Sequence, residues 1–213
     1  MSQPVNPQRR RYRSAVRSEQ ALSTRQRALD AARALFIDRG YASTTIAAVA
    51  NAAGISQETI YATFGGKRGL LEGVIDAAIP LKPEQDAALE AIGRLSSARA
   101  RLRAFVTFCC GVLAQTSPVH KVIRGAADSE AFAIELRARL LSERLANQKR
   151  HFAQHVCLEL PAGVTPRQAA ERFCALTSPE LYHLTIEELG WSRRRHEEWI
   201  AELAERDLLD ETT

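Results

Sequence analysis

The stretch Ile46-Ala-Ala-Val-Ala-Asn-Ala-Ala-Gly-Ile-Ser-Gln-Glu-Thr-Ile-Tyr-Ala-Thr-Phe64 reads as two short helices joined by a tight turn. Ala50 stands where the two axes must cross, and only a small side chain lets them approach. Gly54 stands at the turn, where a left-handed backbone is needed and a Cβ is costly. Val49, Ala53, Ile55 and Ile60 then form a small shared core. Small, turn and apolar positions all fall as a steeply packed pair requires, so a helix-turn-helix is expected over about Thr45 to Phe64. With Ile60 and Phe64 turned inward, Gln57, Glu58, Tyr61 and Ala62 point outward on the second helix, with Thr59 and Thr63 at its margins. These groups suit the major groove of a duplex. Gln57 can pair with adenine and Glu58 can accept from cytosine, while Tyr61, Thr59 and Thr63 can donate to phosphate oxygens. Thr44 or Thr45 opens the preceding helix, where a hydroxyl and free amides offer a second phosphate site. Lys67, at the next helix start, offers a third.

Working outward, apolar positions recur at helical spacing from Ala21 to Asp38, and Gly40 follows where a C-terminal cap is wanted. Ser56 is placed to cap the second motif helix, Gly65-Gly66 to end it, and Lys67 to begin a fourth helix reaching Pro80. Residues 1–20 are polar and Arg-rich, with Pro4 and Pro7, and are expected to form a disordered basic arm that enters the minor groove beside the motif. Beyond residue 80 the chain reads as helix again. Expected segments are Ala98 to Ala114, a short element after Pro118, a long stretch from Ser129 to Val156, a helix opened by Thr165-Pro166, a continuation from Ser178 to Leu189, and a last helix from Ser192 to Leu209. Apolar residues rarely alternate and hairpin turn signals are absent, so no strand is expected. The domains expected are residues 1–20, 21–80 and 81–213, in an all-α fold whose N-terminal three-helix helix-turn-helix domain precedes a larger helical ligand-binding and dimerisation domain.

Charge follows the same division. Residues 1–80 hold 11 Lys or Arg against 6 Asp or Glu, whereas the remainder holds 18 against 19. The positive excess lies on the part expected to meet a polyanion. No apolar run reaches the ~18 residues of a membrane span, and the N-terminal arginines precede no apolar stretch, so a cytoplasmic protein without membrane association is expected. Cys109, Cys110, Cys157 and Cys174 lack metal-finger spacing and lie among apolar neighbours, where a thiol packs as a small apolar group. Cys109 and Cys110 cannot both face one core patch, which leaves a redox sensor as the sharper alternative.

From Thr24-Arg25-Gln26-Arg27 through Leu71 the chain resembles the N-terminal domain of the tetracycline-repressor (TetR) family. The residues that carry the likeness include Ala31–Phe36, Arg39-Gly40-Tyr41, Thr44-Thr45-Ile46, Ala50–Ser56, Thr59-Ile60-Tyr61, Phe64-Gly65-Gly66-Lys67 and Leu70-Leu71. The resemblance implies that Ile46–Ala53 supports and Ser56–Phe64 reads the groove, with phosphate roles for Thr45, Tyr61 and Lys67. Arg25 joins these DNA-binding candidates. Thr63 stands where the family often has His or Tyr, and Ala62 where a larger residue often reaches DNA. Base readout therefore leans on Gln57 and Glu58, although Glu58 is also placed to stabilise the first turn of its own helix.

The family uses its C-terminal helices to dimerise and to hold an effector. Leu176, Leu181, Leu184, Ile186 and Leu189, with Trp199, Ile200, Leu203 and Leu208, can supply the apolar faces of an intermolecular four-helix bundle. Phe105, Phe108, Val112, Phe132, Leu136, Phe152 and Phe173 are the candidate pocket residues. His151 and His155 share a helix face, but no acidic residue completes a ligand set, so neither metal nor cofactor is expected. An enzyme would need a convergent nucleophile or acid–base set, which the sequence does not display. The expected partners are a palindromic duplex operator, a second copy of the chain and a small-molecule effector. A regulator that acts as activator, or under control of a protein partner, would share the same first 70 residues.

Overall fold

The computed structural model describes the backbone of residues 7–78, 82–127, 130–156 and 160–209, with side chains from Glu19 onward except those of residues 82 and 83. Every described element is helical, and the chain divides into two compact units, Met1–Ala77 and Ala78–Thr213.

The first unit opens with α1 (Pro7–Ser43), which bends at Gly40, where φ is +78°. The helix therefore begins well inside the segment expected to be an irregular arm, and only residues 1–6 of that segment lie outside the described residues. Pro7 suits a first helical turn. The Arg, Ala, Gln and Glu that follow are good helix formers, and adding turns to a helix already nucleated costs little. Ala28, Leu29, Ala32 and Phe36 of α1, Val49, Ala50 and Ala53 of α2 (Ile46–Ala53), Ile60 of α3 (Gln57–Phe64) and Leu70, Leu71 and Val74 of α4 (Lys67–Ala78) are among the buried apolar residues of this unit, with α2 packed on both α1 and α3. Ala50 is buried in this core as the motif requires.

The turn between α2 and α3 is set by hydrogen bonds. Gly54 is left-handed (φ 63°, ψ 41°); its N–H donates to Asn51 O, while the Ile55 N–H reaches back to Ala50 O at 3.0 Å. This pair of bonds satisfies carbonyls that the end of α2 would otherwise leave open.

The second unit contains α5 (Lys82–Gly93), α6 (Ala98–Ala127), α7 (Ala131–His151, continued as a π-turn through Val156), α8 (Pro166–Leu176), α9 (Pro179–His183, continued likewise through Glu188) and α10 (Arg193–Leu208). Helix α6 is the hub, packed by α5, α7, α9 and α10. It is long and apolar enough by composition to cross a membrane, but Leu102, Phe105, Val106, Leu113 and Ile123 are buried within the unit, as in the core helix of a globular domain. It also runs through Pro118, where a new element was expected. A proline inside a helix costs about 3 kcal/mol. Burying side chains such as Leu113, Val119, Val122 and Ile123, at about 1.5–3 kcal/mol each, outweighs that cost. Helix boundaries that follow cap chemistry fall as expected: Thr165 forms a capping box with Gln168, and Ser178 and Ser192 cap α9 and α10.

Candidate nucleic-acid interface

Helix α3 is held at both ends and along one side. Ser56 Oγ accepts from the Thr59 N–H at 3.2 Å, left-handed Gly65 closes the last turn by donating to Tyr61 O at 2.8 Å, and Ile60 is fully buried. A helix pinned in this way presents a fixed set of outward groups. Gln57, Glu58, Tyr61, Ala62 and Thr63 are exposed together, with Tyr61 at 54%. Thr59 is half-buried and its hydroxyl lies 3.1 Å from that of Ser56. It therefore belongs to the margin of the face.

The Glu58 carboxyl is held below the usual carboxylate range by hydrogen bonding to its own backbone N–H and then to the Ser56 hydroxyl. It is anchored to the start of its own helix, the structural half of the double role expected of it. The guanidinium of Arg25 lies 4.7 Å over the Phe64 ring, which sets a cation beside α3. Arg25, Thr59 and Thr63 also border a shallow groove lined further by Gln20, Ala21, Leu22 and Thr24.

The two threonines at the start of α2 separate clearly. Thr45 is the N-cap, exposed, and its Oγ1 accepts from the Ala48 N–H at 3.1 Å. Thr44 is 2% exposed and its hydroxyl donates to Gly40 O at 2.8 Å and Leu35 O at 3.2 Å. Its placement among the phosphate contacts is therefore corrected: this hydroxyl satisfies carbonyls beside the bend of α1. Lys67 is tethered, its ammonium donating to Ala42 O at 3.1 Å and lying 4.3 Å over the Tyr41 ring. Two residues near the motif were not singled out from sequence. Arg27 has its guanidinium beside the Gly54 turn, and Tyr41 serves as the platform under Lys67. The runs Thr24-Arg25-Gln26-Arg27 and Arg39-Gly40-Tyr41 were the available signals.

In the second unit the expected pocket residues are packed as core. The Phe105, Phe152 and Phe173 rings lie 4.9–5.5 Å apart, Phe108 stacks on Phe105 at 6.1 Å, and Leu136 is buried, with Val112 and Phe132 half-buried. None of the seven lines the cavity of about 590 Å³ in this unit, whose walls include His120, Arg124, Ile134, Leu141 and Arg144. An apolar aromatic cluster minimises its energy by closing on itself; a cavity persists where charged groups resist closure. Of the residues expected at a dimer face, Ile200 and Leu208 are fully buried within their own chain, and Leu176, Leu181 and Trp199 pack against that core, whereas Leu184 and Leu189 are exposed. Among the described residues no group of three His, Cys, Asp or Glu could hold a metal ion. Burial, its largest cause, pushes the Cys110 thiol up to about 12 and the Cys109 thiol higher still, which keeps both protonated and speaks against a redox trigger. Cys157 lies outside the described residues.

Residues 28–74, which contain α2, α3 and most of α4, match the sequence profile of "Bacterial regulatory proteins, tetR family". The chain is 47% identical over 49 residues to the HTH-type transcriptional regulator AlkX of Mycobacterium tuberculosis, a match that spans 23% of each chain. In fold it is similar to NalD, the secondary repressor of the MexAB-OprM multidrug efflux pump in Pseudomonas aeruginosa, at 20% identity with a TM-score of 0.69 over 90% of this chain and 99% of that one. It is also similar to SmeT, solved in complex with triclosan, at 17% identity with a TM-score of 0.66 over 89% and 93% of the two chains. The helix-turn-helix geometry and these likenesses together identify residues 28–74 as a segment of the tetR family of bacterial regulatory proteins, within a chain whose fold is similar to those of NalD and SmeT.

Proposed function

We propose that this protein is a dimeric, sequence-specific transcriptional repressor that a small-molecule effector releases from a palindromic operator in the cytoplasm. The observation that carries the reading is the outward face of α3, where Gln57, Glu58, Tyr61, Ala62 and Thr63 stand exposed on a helix fixed by its caps and by Ile60. Short polar and phenolic groups on such a helix fit the major groove, Gln57 as the base reader and Tyr61, Thr45 and Lys67 on the phosphates.

A single short helix reads only a few base pairs, so useful specificity requires two heads. Exposed Leu184 and Leu189 near the C-terminus offer apolar area for pairing two chains. Two heads on one dimer must lie about 34–36 Å apart to enter successive major grooves. An effector that binds more tightly to a form with another spacing lowers DNA affinity by that difference. The cavity in the second unit, and the triclosan complex of the similar SmeT, support a small-molecule effector. A dimer lying over a promoter excludes polymerase, which favours repression over activation.

Selection of bound duplexes from a random pool tests this reading. The expected product is an inverted repeat whose half-site centres lie about one helical turn apart. A pool that stays random after repeated selection overturns it.

A further inference from the structure

We propose that the cavity of the C-terminal unit takes a small apolar carboxylic acid, its carboxylate held by Arg144 and Arg124 and its apolar body lying on α7. This deepens the proposed function, since it rests on the reading that a small molecule controls DNA binding.

The apolar half of the argument is the wall of α7. Ile134, Ala138, Leu141 and Leu145 follow one another by four, three and four residues, so they form one stripe along the cavity. Ile134 is 60% exposed and Leu141 56% exposed. Large side chains left open in a concave site of about 590 Å³, within the usual range for small-molecule sites, gain from an apolar occupant.

The charged half comes from balancing the cavity's ionic groups. Arg137 is paired with Glu180 at 3.3 Å, and Glu171 is paired with Arg167 at 2.7 Å. Arg144 donates only to neutral acceptors, the carbonyls of Thr177 and Cys174 and the Cys174 sulfur at 3.0 Å. Glu171 and Glu180 line the same cavity as Arg124, but their ion pairs are with Arg167 and Arg137, and among the described residues no ion pair joins Arg124 to a carboxylate. Two guanidinium charges thus border an apolar cavity without a matching anion. The field they set up is felt at His120, whose imidazole is pushed down to about 4, by burial first and then by Arg144. A neutral or cationic guest would leave this positive charge without an anionic partner, whereas a carboxylate matches the fork of a guanidinium. Arg144 already closes the carbonyls at the end of α8, so an anion that draws on it also bears on the α8–α9 junction.

The test is calorimetric titration of the full-length protein with three probes of one chain length, decanoate, decanol and decylamine, and with 2-naphthoate to tell a flexible acid from a flat one. Decanoate or 2-naphthoate is expected to bind at least about tenfold more tightly than decanol, with decylamine weakest, and R124Q is expected to lose about tenfold for the acid while leaving decanol unchanged. Because Arg144 also supports the end of α8, R124Q is the informative variant. Equal affinity for acid and alcohol, preference for the amine, or no binding by either acid overturns the proposal. Parallel titration of DNA separates the two readings. Acids that bind without altering DNA affinity preserve the site and contradict effector release, whereas a non-acidic compound that alone releases DNA preserves release and contradicts the assigned ligand class.

Discussion

The hydroxyl of Thr44 serves two carbonyls at the bend of α1, those of Gly40 and Leu35, while the adjacent Thr45 hydroxyl caps α2 in view of solvent. From the run Ser43-Thr44-Thr45 a capping hydroxyl was legible, but its register was not. The register depends on where α1 bends, and the bend is set by positive φ at Gly40 and by burial of Tyr41. The outward set on α3 was legible because Ile60 and Phe64 fix its rotation. The tether on Lys67 was not, since its partners lie about 25 residues earlier on a different helix. Thr44→Val keeps the shape but removes the donor from two partly buried carbonyls, and is expected to cost about 1–3 kcal/mol in denaturant unfolding. A variant as stable as the parent would show that these bonds contribute nothing.

At the scale of the element, two glycines on either side of α3, Gly54 at the end of α2 and Gly69 within α4, act in distinct ways. Gly54 is left-handed, but a Cβ there would have only the Arg27 guanidinium nearby, at 3.9 Å. Its substitution by alanine carries a conformational cost alone, about 1–2 kcal/mol. Gly69 has ordinary helical backbone, yet a Cβ would lie 1.9 Å from the Phe64 carbonyl oxygen. Gly69→Ala therefore forces the end of α3 away from α4 and is expected to lower the melting temperature further than Gly54→Ala; the reverse order would contradict the close approach. Gly54 was legible in sequence because a turn was demanded there, whereas the role of Gly69 depends on a tertiary approach that no local pattern encodes. For the same reason α5 was not outlined in advance. Its buried apolar residues are chiefly Leu89 and Ile92, too few to register as a period, and packing on α6 and on the end of α7 decides its place.

At the scale of the whole molecule, three histidines tie stability to pH. His120, His151 and His196 are all pushed down, in each case chiefly by burial. The Thr185 hydroxyl donates to Leu181 O and so accepts from His196 Nδ1 at 2.7 Å, fixing a neutral ring inside the C-terminal unit. In the unfolded chain these rings take up protons near pH 6.5, but in the folded chain only at lower pH. Their contribution to stability is therefore complete above about pH 6.5 and is lost as pH falls toward 4. Melting temperature is expected to drop over that interval, and to drop less in His120→Asn; an identical slope in the variant would contradict the burial argument. The larger unit was the less legible in sequence, because the same apolar helix faces can close a core, line a cavity or pair two chains. Ile200 and Leu208 took the first course and Leu184 and Leu189 remained outside. The central claim, that α3 reads a duplex through its exposed side, is tested most directly by comparing the affinity of the parent and of Gln57→Ala for the selected operator and for single-base variants of it. The account predicts a loss of about 1–3 kcal/mol on the operator and relaxed preference at one base pair in each half-site. Unchanged affinity and unchanged preference at every position would contradict it.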